Sequence, residues 1–130
     1  MDKPELFNEA LLVADKLLEQ GASEDALVVL QLVAGNEAFG GIRVIACVNC
    51  ARVHVERNEV EHALVWYDRG IALEEHLHTC LAARYKAALL AEHGRTREAL
   101  DLYRELLEGP LQPEDAQSIR QAVAALEPRA

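Results

Sequence analysis

Apolar side chains recur at intervals of three and four along almost the whole chain, the spacing of helices with one buried face. Breaks at Gly, Pro and Asn divide this pattern into seven helices and leave no strand. The first helix opens near Pro4, with Asp2 as its cap and Glu5 in the first turn. It carries Leu6, Ala10, Leu11, Ala14, Leu17 and Leu18 and stops at Gly21. Ser23 caps the second by accepting a backbone N–H left free at the helix start, and Glu24 and Asp25 sit at the positive end of its dipole. This helix reaches about Ala38. Beyond Gly40 and Gly41 a third helix runs from Ile42 to about Arg57, followed across Asn58 by a fourth from about Val60 to Glu75. Thr79 caps a fifth that ends at Gly94, and Thr96 caps a sixth that runs to Gly109 and Pro110. Pro113, Glu114 and Asp115 open a seventh that ends before Pro128.

Three of the helical pairs repeat one another. Gly21, Asn58 and Gly94 end the first helix of each pair, and five residues later come Ala26, Ala63 and Ala99, spaced by 37 and 36 residues. A small residue there lets the two helices approach closely. One helical turn beyond each alanine stands a bulky side chain, Leu30, Tyr67 or Tyr103, and twelve residues before it a second small one, Ala14, Ala51 or Ala87. The small positions meet and the large ones fill the space beside them.

These positions resemble the tetratricopeptide repeat family. The similarity is clearest over Ala63-Leu-Val-Trp66-Tyr67-Asp-Arg-Gly70-Ile71-Ala-Leu73, which looks like the second helix of such a repeat, and Ala99 to Leu107 is similar. The resemblance implies an all-α fold in one domain spanning residues 1–130: an α-solenoid of three hairpins at about 7–40, 44–77 and 80–113, with a polar-backed capping helix at about 113–126. Repeats of the family recur about every 34 residues, so the extra residues fall at Gly40-Gly41 and around His76 to His78. Cys47 and Ala83 replace the aromatic usual early in the first helix, and the proline usual after the second helix is missing from the first two repeats.

In this family the first helix of each hairpin lines a concave groove. Carried over by register, the groove takes Asn8, Leu11, Asp15 and Leu18 from the first hairpin and Ile45, Val48, Asn49, Arg52 and Val55 from the second. Leu81, Arg84, Tyr85, Ala88 and Ala91 come from the third. Such a lining fits the apolar face of a partner helix or an extended segment with bulky anchors, with Arg52 and Arg84 pairing with the partner's acidic groups. The resemblance therefore implies a non-enzymatic scaffold for protein–protein interaction. Its alternatives are a secretion-type chaperone for an aggregation-prone client, or a structural module that self-associates as a homodimer through the groove or the side bearing Val29, Trp66 and Leu102. Of the positions with which some members clamp a C-terminal carboxylate, only Asn49 matches; Leu11, Asp15, Leu81 and Tyr85 occupy the others. Val48→Glu is expected to abolish binding without unfolding the array.

Charge narrows the partners. Asp and Glu total 22 against 13 Lys and Arg, and a net charge of -9 repels the phosphate backbone of nucleic acid and anionic membrane surfaces alike. With 130 residues, 51% of them hydrophobic, the chain has the size and apolar content of one cored domain. No apolar run nears the ~20 residues needed to cross a bilayer, and Met1-Asp2-Lys3-Pro4-Glu5 is not a basic stretch leading into an apolar one, so a cytoplasmic location is expected. Gly40-Gly41 runs into Ile42 and Arg43 without the lysine of a phosphate loop, and no GxGxxG occurs; no cofactor is expected.

One constellation invites chemistry. Cys47 and Cys50 form a C-x-x-C pair with His54 one turn on, the ligand types of zinc, and Cys80, His76 and His78 could complete a site. Their counterparts in the other hairpins are Ala10, Val13 and Leu17, and Ala83, Lys86 and Leu90, which points instead to packing of reduced, metal-free thiols. A Cys50–His54 nucleophile pair lacks an obvious orienting carboxylate, Asn58 being the nearest candidate. His62, His76, His78 and His93 lie near helix ends, facing solvent or exposed carbonyls. Trp66, the single tryptophan, matches Val29 and Leu102 and reads as repeat packing.

Overall fold

The computed structural model describes residues 3–130, with side chains from residue 9 onward, so the Asp2 cap and the Asn8 side chain lie outside the described residues. Among the described residues the chain is all-α: α1 (Lys3–Glu19), α2 (Ser23–Ala34), α3 (Ile42–Glu56), α4 (Val60–Glu74), α5 (Leu81–Glu92), α6 (Thr96–Glu108) and α7 (Pro113–Leu126), with no strand. None of these helices is long and apolar enough to cross a membrane.

Helix stops follow from local chemistry. Gly21, Asn58 and Gly94 take the left-handed backbone, with φ of 79°, 61° and 75°, which reverses the chain between α1 and α2, α3 and α4, and α5 and α6. Glycine has no Cβ to clash there, and asparagine is among the side chains that tolerate it. Each helix packs mainly on its neighbours in sequence, and α3 also lies against α5. All six small positions, Ala14, Ala26, Ala51, Ala63, Ala87 and Ala99, are fully buried, and Leu30, Tyr67 and Tyr103 are buried beside them. One ion pair recurs across adjacent hairpins: Arg57, after α3, reaches Glu24 at the start of α2, and Arg95, before α6, reaches Glu61 at the start of α4.

The buried apolar residues form two clusters. The first includes Val44, Val48, Leu64, Tyr67, Leu90, Leu100 and Ile119; the second includes Leu27, Leu30, Val33, Cys47, Cys50 and Val53. Because α3 feeds both, it is buried on opposite sides. On α4, a Cβ at Gly70 would stand 2.8 Å from the Ala82 Cβ and 3.4 Å from the Cys47 Cβ, so glycine here sets how closely α4 lies on α5 and α3.

The expected caps are corrected. Ser23 and Thr96 are first helical residues, preceded by Ala22 and Arg95, and neither serves as a side-chain cap. The Ser23 hydroxyl instead accepts from Arg57 at 2.7 Å. At α5 the cap comes from Glu74, at the far end of α4. Its Oε1 accepts the N–H groups of Ala82 and Ala83 at 2.9 and 3.3 Å, while Thr79 donates to its Oε2 at 3.0 Å. An orphan helix-start N–H takes the strongest acceptor in space, and a carboxylate only 4% exposed outcompetes a surface hydroxyl. α2 ends at Ala34 rather than Ala38, because the Asn36 side chain accepts the Ala38 N–H at 3.0 Å and folds Glu37–Phe39 into a 3₁₀ turn.

Candidate functional site

The α3 and α5 residues assigned to the groove converge around Tyr85. Two adjoining hollows share Tyr85 and Ala88. One, of about 290 Å³, is completed by Arg52, Val55 and Tyr67 with Glu56 and Glu92 at its margin; the other, of about 400 Å³, by Leu81, Arg84 and Tyr103. Tyr85 and Leu81 remain 38% and 40% exposed, large for apolar groups this close together. The Tyr85 ring stacks on buried Tyr67 with centroids 6.2 Å apart, and the Arg52 guanidinium lies 5.9 Å from its centroid. Desolvation pushes the Tyr67 hydroxyl up to about 12, so it stays neutral beneath the hollow.

Other assigned residues do not join this site. Val48 is 3% exposed and belongs to the core, because α3 is covered on the side that carries it; this overturns the expectation that Val48→Glu leaves the fold intact. Arg84 is not free for a partner, since Asp115 of α7 pairs with it at 3.1 Å. Leu11 and Leu18 pack on the second cluster, Asp15 is exposed, and none of the three lines the hollows. Ile45 is exposed, while Asn49 and Ala91 are half-buried outside both hollows.

The cysteine constellation is interior. Cys47, Cys50 and Cys80 are buried and not joined by disulfides, and burial raises all three thiol pKa values, that of Cys50 to about 12. A thiol held protonated and away from solvent supplies no thiolate at neutral pH. No group of His, Cys, Asp and Glu suited to a metal occurs among the described residues. The carboxylate beside His54 is Glu59, not an Asn58 amide: Nδ1 of His54 lies 3.1 Å from its Oε1, and this hydrogen bond holds the Glu59 carboxyl below its ordinary range. His62 stacks on His54 at 5.3 Å. His93, as expected of a helix end, bonds the Leu89 carbonyl at 3.0 Å.

A further concavity, of about 860 Å³, lies between α2 and α4 on the side of Trp66, the side named above as an alternative face for self-association, with Cys47 in its floor and Trp66 in its wall. Trp66 packs on both clusters, as a core residue would, yet the Arg69 guanidinium caps its ring at 4.4 Å. The available signal was the single tryptophan standing where the other hairpins carry Val29 and Leu102. The chain matches no known protein family, no curated protein and no solved structure.

Proposed function

We propose that the chain is a tetratricopeptide-type α-solenoid of three hairpins closed by α7, working in the cytoplasm as a non-enzymatic docking module for another protein. Support for the repeat reading is the recurrence of the left-handed turn and the buried alanines at matching places, and of an arginine beside the turn that reaches the matching Glu24 or Glu61 of the preceding hairpin. The observation that carries the function is Tyr85, an exposed aromatic stacked on Tyr67 between two hollows walled by Leu81, Ala88 and Val55. A stacked aromatic beside apolar hollows is the arrangement that anchors a bulky side chain from a partner helix or extended segment. Arg52 borders the site and orients the segment.

A photo-crosslinking residue placed at Tyr85 is expected to capture a protein partner in the native cell, while one at exposed Arg120 of α7 captures none. Tyr85→Ala is expected to weaken the captured interaction by about 10–100-fold, the range of a central aromatic anchor. Equal capture from both positions, or binding unchanged by Tyr85→Ala, would remove the function from this face. Capture of the chain itself would assign the face to a homodimer.

A further inference from the structure

We propose that the cleft between α2 and α4 is a second docking site, selective for an acidic segment with an apolar anchor. Its cations are the first reason. Arg43 and Arg69 both line it, and neither forms an ion pair among the described residues, although the chain carries an excess of acid. Arg57, Arg84, Lys86, Arg95 and Arg104 are each paired with a carboxylate, and Arg52, unpaired like Arg43 and Arg69, lines a hollow that also holds Glu56 and Glu92, whereas the lining here holds no acid. In a molecule of net charge -9, two arginines facing one cleft with no acid in its lining form a local exception to the surrounding field.

The guanidiniums are also fixed. Nε of Arg43 donates to the Ala34 carbonyl at the end of α2 at 2.8 Å, and Arg69 is held over Trp66. Both line the concavity that has Cys47 in its floor, where they oppose part of the burial that raises its thiol pKa. A guanidinium has five N–H donors in a planar fork, so one bond to Ala34 leaves Arg43 most of its capacity for a carboxylate.

The walls supply the apolar half of the recognition. Val65, Trp66, Ala72 and Leu73 lie along α4, and Val65 is 52% exposed. His62 and His76 stand toward the two ends. From His62 to Leu73 the helix rises about 16 Å, the span of roughly five extended residues. A short segment with one bulky apolar side chain beside Trp66, against exposed Val65, and flanking carboxylates toward Arg43 and Arg69 satisfies the cleft. A basic segment would meet uncompensated cations.

Trp66 makes the test direct, because it is the only tryptophan in the chain and its emission reports on this wall alone. Purified protein is presented with a peptide array graded from acidic to basic at constant apolar content, and the best binders are titrated while Trp66 emission is followed. Acidic peptides are expected to bind with a saturable emission change that weakens with added salt. Arg69→Gln should loosen them at least about tenfold with an unchanged melting temperature, and Arg69→Glu should turn the preference toward basic peptides. Tyr85→Ala, on the other face, should leave both readings intact, which separates this site from the function proposed above. Ranking independent of peptide charge, or unchanged binding by Arg69→Gln, would overturn the proposal. So would emission that follows protein concentration instead of peptide, which would make the occupant a second copy.

Discussion

The faces around Tyr85 and Trp66 share the helix α4 and differ in how their charges are settled. Beneath Tyr85 stands Tyr67 of α4; three residues on, Gly70 holds the same helix against α5, while Trp66 and Arg69 turn to the opposite cleft. Around Tyr85 acid stands beside the cations: Asp115 pairs with Arg84, and Glu56 and Glu92 line the same hollow as Arg52. The lining around Trp66 holds no Asp or Glu. A face that has neutralised its own charge selects a partner by shape and apolar fit, and one that has not selects by charge as well. Binding at Tyr85 should therefore tolerate salt, and binding at Trp66 should not.

The comparison stands only if α3 is a shared core helix, and Val48→Glu is the severest way to break it. A carboxylate forced into that cluster without a partner should cost about 3–5 kcal/mol in urea unfolding, with both faces lost together. A loss below about 0.5 kcal/mol would make Val48 a groove wall after all. Gly70→Ala comes next. The added Cβ meets the Ala82 Cβ at 2.8 Å, so about 1–3 kcal/mol should be lost as α4 is pushed from α5 and α3. Because this moves the helix that backs both faces, peptide binding at Trp66 and partner binding at Tyr85 should weaken in parallel; loss of one alone would uncouple them.

Alkaline pH probes the two clusters separately. Cys50 in one rises from an ordinary 9.0 to about 12, and Tyr67 in the other from 10.0 to about 12. The folded state thus keeps protons that the unfolded chain releases, so this contribution is whole below pH 9 and is lost as pH climbs toward 12. At about 1.4 kcal/mol per pKa unit the drop should reach several kcal/mol by pH 12, and Cys50→Ala and Tyr67→Phe should each flatten part of the pH dependence of the urea midpoint. A midpoint flat across that range would place both groups in solvent. The smallest effect sharpens the contrast most. Asp115→Asn should change stability by less than about 1 kcal/mol, since both partners of the pair are 38% exposed, yet it frees Arg84. The Tyr85 face should then acquire the salt-sensitive taste for acidic segments otherwise confined to Trp66.

Helix number and turn sites were legible because they depend on near neighbours. Gly21, Asn58 and Gly94 mark turns through backbone freedom that each residue carries by itself, and the alanines declare their burial by recurring in register. The caps were not legible, since Glu74 lies eight residues from Ala82 in sequence and reaches it only after α4 and α5 have packed. Val48 misled for a related reason. Register says which way a side chain points, but not how many neighbours surround its helix, and α3 has them on both sides. The Trp66 side was legible as a face, but its charge was hidden because the two arginines come from different helices and neither repeats. Glu59, five residues from His54 and just past the Asn58 turn, comes within reach of the ring only once that left-handed turn has folded the chain back.

The Glu74 carboxylate also has a kinetic meaning. When helices touch mainly their neighbours in sequence, a chain can open from either end, one pair at a time. Glu74 fastens the last turn of α4 to the second and third amides of α5, so the middle of the chain cannot let go of its C-terminal half without giving up both of these bonds and the one from Thr79 together. The Ala82 and Ala83 amides should accordingly exchange with deuterium as slowly as those in the centres of α4 and α5, and the two halves should open in a single cooperative step.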